Sequence, residues 1–305
     1  MKRIVIVYSP RSARFDEVQR KVIEKSRSLK GWMVLKFEVP EAPVYSNARK
    51  LAGIIRKDDL VLSAGGDGTA SMCLNAIMMS GKQAALAAMP FGNFNDYAET
   101  FGRMSLERIV RRFEEGRYSD YYPMEIKVDG QHYVYSGMYF TIGLMAEAER
   151  VFKNPKVRRK LARARSRMRF SARKLFSWYV KNKRRKDFLP FNMKINGECV
   201  PKLTTDYVAI NGKNMAGVVP ARGWFLEPEM FWSGTMKSRS LFRMFSKFLR
   251  ALEGRLPGGE TKGDEIVFPS KADVYVHSEG EGEKLTGIAK IEVSKNGKAL
   301  RVIRS

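Results

Sequence analysis

The feature that most constrains this chain is the alternation of short apolar runs with helix-patterned segments through roughly its first hundred residues. Arg3–Tyr8 is an apolar run rich in Val and Ile, Asp16–Leu29 carries helical spacing, and Trp32–Phe37 reads as a second strand. Asn47–Arg56 is helical again, and Leu60–Ser63 runs into a glycine cluster at Gly65–Gly68. Ala70–Met79 and Ala84–Met89 repeat the helix-then-strand order before Pro90-Phe91-Gly92 breaks it. Strands alternating with helices at this spacing predict a parallel sheet with helices on its faces.

After about Ser119 the pattern changes. Met124–Val128 and His132–Phe140 read as strands joined at Asp129-Gly130, a hairpin dipeptide. Met193–Ile195 and Leu203–Ile210 flank a second such signal at Asn196-Gly197. Phe268–Ile303 is strand-like, with turns at Gly280–Gly282 and Asn296-Gly297, and helical stretches interrupt near 143–187 and 237–252. The expected architecture is an N-terminal α/β domain over 1–120 and a C-terminal antiparallel β-sandwich-type domain over 121–305, carrying a basic helical insertion at about 151–187. The last strand fits either domain.

The chain has 305 residues, enough for two cores. Its two cysteines, Cys73 and Cys199, show no metal-ligand spacing, and with two histidines a structural zinc site is not expected; a reducing compartment fits. The N-terminal apolar run is too short for a signal peptide, and no window holds the ~18 uninterrupted apolar residues of a membrane span. The net charge of +24 points to polyanionic partners, nucleic acid or anionic lipid. That surplus is uneven: Val151–Asp187 holds sixteen Lys or Arg against one acid, Asp187.

Two loops carry chemistry. Leu62–Thr69 ends a strand and opens a helix, and its glycines let the backbone approach a phosphate at a helix N-terminus. An aspartate there, Asp67, repels a phosphate unless it holds Mg²⁺ or takes a proton from an attacking hydroxyl; the plainer alternative is a tight turn with Asp67 as helix N-cap. Met89–Ala98 again follows an apolar run and precedes a helix, which its Asn and Asp residues could cap. Loops at the ends of successive parallel strands share one sheet edge, where ligands bind in such folds.

These residues resemble the diacylglycerol kinase catalytic family, especially its bacterial lipid kinases, with relatives among sphingosine kinases. Gly65–Thr69 matches the family's GGDGT loop, which NAD kinases share. Gly92–Asp96 is similar to its GTGND-type loop, with Asn93 at the Thr position and Phe94 replacing a small residue. Ser9–Ala13 resembles the NPxSG turn after strand one. Ser136–Ala148, Asn211-Gly212 through Ala221, and Val274–Leu285 resemble later segments of the family, the last its DGE segment near the C-terminus. The resemblance implies an NAD kinase/diacylglycerol kinase-like fold. It implies that Gly65, Gly66, Gly68 and Thr69 cradle ATP phosphates, with Ser9, Arg11, Asn93, Asn95 and Asp96 nearby. It further implies that Asp67 orients Mg²⁺–ATP or the lipid hydroxyl and is the candidate metal ligand. The DGE glutamate would be the general base. Here the run is Ser278–Glu283 and two registers are open, with Glu281 the first choice and Glu283 the second. Bacterial members often carry an Asp-Gly-Leu segment after the P-A dipeptide that binds a structural Mg²⁺. The corresponding stretch, Ala221–Pro228, lacks that aspartate, so the accessory ion is expected to be absent; a threonine that usually precedes the second helix is missing around Glu41–Tyr45 as well.

In the basic segment, Leu161, Met168, Leu175 and Trp178 recur at spacings that make one apolar stripe. A basic helix with such a stripe is expected to lie on anionic lipid; the plainer alternative is a solvated charged face on a helix that packs its stripe against the protein's own core. The expected protein is thus an ATP-dependent lipid kinase, cytoplasmic and peripheral to the inner face of the membrane. Lys237–Arg250, with Phe242, Phe245 and Phe248, has the same character. The alternatives are an NAD kinase-like enzyme, or a nucleic-acid-binding protein on a degenerate kinase scaffold.

Overall fold

The structure, a computed structural model, describes residues 2–10, 12, 14–41, 44–143, 146–147, 151, 154–164, 167–182, 192–195, 197–200, 206–215, 219–235, 250, 253–255, 258–279 and 281–305. Arg11, Lys183–Asp187 and most of the expected 237–252 helix lie outside the described residues. Two compact units result, Met1–Pro123 with Gly297–Ser305, and Met124–Asn296.

The first unit is built on β1 (Lys2–Tyr8), β2 (Trp32–Glu38), β3 (Leu60–Gly65), β4 (Ala85–Pro90) and β5 (Ser119–Tyr121). Their order is β2-β1-β3-β4, then the C-terminal strand Leu300–Val302, then β5. All pairings are parallel except that of Leu300–Val302 with β5. The sequence left that last strand open between the domains; it joins this sheet.

β1, β3 and β4 are apolar without alternation because both sheet faces are covered, as parallel strands require. The helices are α1 (Phe15–Val18), α2 (Val44–Ile54), α3 (Asp67–Ser80), α4 (Asp96–Phe101) and α5 (Leu106–Glu114). The helix expected over Asp16–Leu29 is α1 running on into a π-helical stretch, Gln19–Glu24, whose Val22 and Ile23 join Val18 in the core. The sequence reading passed over α5. Ser105 caps it by accepting from the Arg108 N–H at 3.3 Å, and Leu106, Ile109, Val110 and Phe113 form its buried face.

One buried ion pair ties the sheet. Arg3 Nε donates to Asp59 Oδ1 at 2.8 Å, and a second guanidinium nitrogen reaches the other carboxylate oxygen and the Ile54 carbonyl. The hydrogen bond to Asp59 holds the Arg3 pKa above its ordinary value.

The second unit is antiparallel. Its strands are β6 (Met124–Val128), β7 (Gln131–Ser136), β8 (Tyr139–Gly143), β9 (Asn192–Ile195), β10 (Glu198–Cys199), β11 (Asp206–Ile210), β12 (Asn214–Met215), β13 (Val219–Pro220), β14 (Phe231–Thr235), β15 (Gly259–Thr261), β16 (Gly263–Ser278) and β17 (Glu281–Ser294). The main sheet runs β15-β14-β11-β8-β16-β17-β6-β7, with β9 on β16 and β10 on β9. Asp129 and Gly130 both take positive φ, 49° and 81°, as a two-residue hairpin requires.

Two sequence expectations need correction. His132–Phe140 is two strands, β7 and β8, because the chain breaks at Gly137-Met138. β9 pairs antiparallel with short β10, not with the strand expected over 203–210, whereas Asp206–Ile210 is a central strand between β14 and β8. In the core of this unit Tyr207 and Thr261 donate to Asp264 at 2.7 and 2.9 Å; burial raises its carboxyl, and those bonds oppose the rise.

α6 (Pro155–Arg163) and α7 (Arg167–Asn182) are helical members of the second unit. Together they carry ten Lys or Arg and no acid. Leu161 is fully buried; the side chains of Met168 and Leu175, also assigned to the apolar stripe, lie outside the description. Among the described side chains of α7, the exposed large apolar ones are Phe176 (45%) and Val180 (39%), one turn apart.

Asp59→Ala leaves the Arg3 guanidinium buried without its carboxylate, and the expected loss is about 3–5 kcal/mol of stability. Urea unfolding followed by circular dichroism measures it as a lowered midpoint.

Candidate active site

In the first unit the chain runs from β1 to β2 on one side of β1, then returns to β3 on the other. That reversal is the switch point at which open α/β sheets bind ligands, beyond the carboxyl ends of the strands. Three segments emerge there: Ser9–Arg14 after β1, Gly65–Thr69 after β3, and Pro90–Asp96 after β4.

The second and third of these are packed on each other. Gly65 pairs with Pro90 at the ends of β3 and β4, and the Phe91 N–H donates to the Gly65 carbonyl at 3.0 Å. Beyond that point a Cβ on Gly92 would lie 2.3 Å from the Gly66 Cα. A Cβ on Gly65 would lie 2.4 Å from Thr69 Oγ1. The glycines are therefore demanded by contact between and within the loops. The same contact brings two backbone segments to one place without side chains between them.

Asp67 fastens the arrangement. Its Oδ2 accepts from the Asn95 N–H at 2.8 Å and its Oδ1 from the Tyr97 N–H at 3.2 Å. The sequence allowed Asp67 to be the N-cap of its own helix. Gly66 is the N-cap of α3, without a side-chain cap, and the Asp67 carboxylate serves the start of α4 instead.

Asn95 closes its own loop. With φ at 75°, it accepts from the Gly92 N–H at 2.6 Å and donates to the Gly92 carbonyl at 3.1 Å. Asn95 and Asp96 are both buried, while Ser9, Thr69, Asn93 and Phe94 are half-buried. The structure thus brings Gly65, Gly66, Asp67, Gly68, Thr69, Asn93, Asn95 and Asp96 to one sheet edge, with Ser9 at the neighbouring strand end.

Two residues of the first turn escaped the list of candidates. Ser12 Oγ donates to the Phe91 carbonyl at 2.8 Å. Arg14 donates to the Pro90 carbonyl and stands 5.9 Å from the Phe91 ring centroid. They pin the first turn to the third. The resemblance of Ser9–Ala13 to a family turn was the available signal for Ser12; for Arg14 there was none.

α3 is a 14-residue helix whose N-terminus is capped by a bare glycine, the arrangement that favours anions. Among the described residues no group of three or more His, Cys, Asp or Glu side chains is placed to hold a metal. A Mg²⁺ at Asp67 would therefore take most of its ligands from phosphate oxygens and water, the usual state of nucleotide-bound magnesium.

In the second unit the acids of the 279–283 run separate. Glu279 is fully buried with φ at 49°. Its Oε1 accepts from Ser136 Oγ at 2.8 Å, from the Met138 N–H, and from the Tyr139 N–H at 3.4 Å. Glu281 begins β17 and is exposed, as is Glu283, which accepts from the Tyr133 hydroxyl. Glu279 was not nominated; an acid among glycines reads as solvated unless its partner strand is known.

Known proteins bear on this arrangement. The family described as the diacylglycerol kinase catalytic domain matches residues 3–120. A Bacillus subtilis (strain 168) diacylglycerol kinase is 29% identical over 137 residues, a match spanning 44% of this chain and 44% of that protein. A solved Bacillus anthracis str. Sterne diacylglycerol kinase superposes with a TM-score of 0.67 at 17% identity, over 100% of this chain and 97% of that one. A second structure from the same organism gives 0.69 at 16% identity, again over 100% and 97% of the two chains. At such identities the structural likeness concerns the fold. By sequence, the likeness to the diacylglycerol kinase catalytic family is carried by residues 3–120, the segment that holds both glycine loops.

Proposed function

We propose that this chain is an ATP-dependent lipid kinase that phosphorylates a hydroxyl of diacylglycerol or a related membrane lipid at an anionic membrane surface. The observation that carries the reading is the apposition of Gly66 and Gly92 at the sheet edge, fastened by Asp67, within a segment matching a kinase catalytic family. Phosphoryl transfer asks chiefly for positioning and charge neutralisation, which such a backbone cradle supplies.

Bound Mg²⁺–ATP would bring the transferable phosphoryl group. Gly65, Gly66, Gly68 and Thr69 are the proposed cradle, with Ser9, Arg11 and Asn93 beside it. Asp67, whose carboxylate is already oriented by two main-chain N–H groups, is the proposed magnesium-orienting acid. Glu281 is the proposed base. Glu279 is committed to donors of the 136–139 turn, which supports the register in which Glu281 is the reactive acid and Glu283 the second choice. The acid-free pair α6 and α7, with Phe176 and Val180 exposed, supports attachment to anionic lipid from the cytoplasmic side.

Four outcomes are expected. Radiolabelled ATP and diacylglycerol-containing vesicles should yield a labelled phospholipid. Glu281→Gln should cut that yield by roughly 10²–10⁴-fold with an unchanged melting temperature, since the side chain is exposed; full activity would remove Glu281 from the reaction. In Gly92→Ala the new methyl meets the Gly66 backbone, so kcat/KM and the melting temperature should fall together. Flotation with vesicles containing phosphatidylserine should recover the protein, less so as salt rises. Binding to RNA with a steep salt slope, without recovery on vesicles, would instead favour the nucleic-acid reading.

A further inference from the structure

The stretch from Ala221 to Met230 has no regular secondary structure, so its carbonyls must find donors elsewhere. Two of them converge on one side chain. Lys295 Nζ donates to the Trp224 carbonyl at 2.7 Å and to the Glu227 carbonyl at 2.7 Å. Lys295 directly follows β17 and is only 8% exposed.

The turn is wound around that ammonium. The Glu227 N–H donates to the Trp224 carbonyl at 2.9 Å, and the Trp224 indole is held by Glu260 Oε1 at 3.1 Å. Lysine is almost never buried unless paired. Here two neutral carbonyl oxygens accept from it, the ligand type of a hard-cation site. Burial pushes the Lys295 ammonium down to about 7, and the Glu227 charge opposes that fall.

Bacterial members of the family this chain resembles often hold a structural Mg²⁺ at the corresponding stretch through an aspartate. Ala221–Pro228 contains no aspartate, and its inward carbonyls already serve an ammonium. The residues present do not fit the metal. We infer that Lys295 is a built-in cation, whose ammonium organises the Trp224–Glu227 turn as a bound ion would, so that this loop takes no metal. The inference is independent of the kinase reading.

The test uses the full chain without nucleotide at pH 6, with thermal melting and amide exchange across 221–230 as readouts. For the wild type, replacing MgCl₂ by EDTA should change neither. Lys295→Met and Lys295→Ala should each lower the melting temperature, on the order of 10 °C, and speed exchange in the loop. Propylammonium should restore protection in Lys295→Ala, whose cavity it can enter, and not in Lys295→Met. Protection in 221–230 that rises with Mg²⁺ in the wild type overturns the inference, as do variants that melt and exchange like the wild type. Should neither variant fold, the wild-type magnesium arm decides.

Discussion

The candidate site depends on one carboxylate placed between two loops. Two adjacent parallel strands, β3 and β4, deliver Gly66 and Gly92 to the same point, but strand pairing ends at Gly65 and Pro90. Beyond it only side chains and turns can fix the backbone. Asp67 does so by accepting from two N–H groups at the start of α4, charge-assisted bonds worth about 1.5–3 kcal/mol each. The close approach of the glycines leaves no room for the loops to be fixed by packing. An acid in a glycine-rich turn, awkward for simple phosphate binding, thereby has a structural reason. That reason coexists with the proposed chemical one, because each carboxylate oxygen has a second lone pair.

Much of the first unit was legible in the sequence. Strands buried on both faces read as unbroken apolar runs, and glycine loops after them read as strand ends. What stayed hidden was set by distant partners. Leu300–Val302 reads as a strand anywhere; only its pairing with β4 and β5 assigns it to the first sheet. The same holds for Asp206–Ile210, whose neighbours β8 and β14 are remote or follow a long gap in sequence. The roles of Asp67 and Asn95 were half legible: composition marked them as loop acids and amides, while the donors they serve depend on how β3 and β4 register. Glu279 was the least legible. Nothing local separates a buried acid from a solvated one when both sit in Ser-Glu-Gly-Glu-Gly-Glu.

The charge distribution follows a simple rule. Inside, ionisable groups are met one by one: Arg3 by Asp59, Asp264 by Tyr207 and Thr261, Glu279 by the 136–139 turn. Such local matching is what burial demands, since an unpaired charge costs several kcal/mol. The surplus of positive charge therefore has to stand outside, and α6 and α7 hold much of it with no acid among them. Helices stabilised for solvent alone gain from interspersed acids at i,i+4. Forgoing those pairs makes sense where the counter-charges come from another surface.

Lys295 obeys the same rule with a different partner. A divalent ion in a loop of neutral carbonyls needs carboxylates to offset its second charge, and Ala221–Pro228 offers only Glu227, whose side chain is exposed. A single ammonium needs less compensation, and the nearby Glu227 charge is of the right size. Because the cation is tethered to the chain, filling the site costs no loss of translational freedom and does not depend on ion concentration. The cost is reach: an ammonium has three donors on one side, against the six or more ligands of a metal, so it can gather one turn and no more. The Trp224–Glu227 turn, with its two carbonyls converging on Nζ, is of that size.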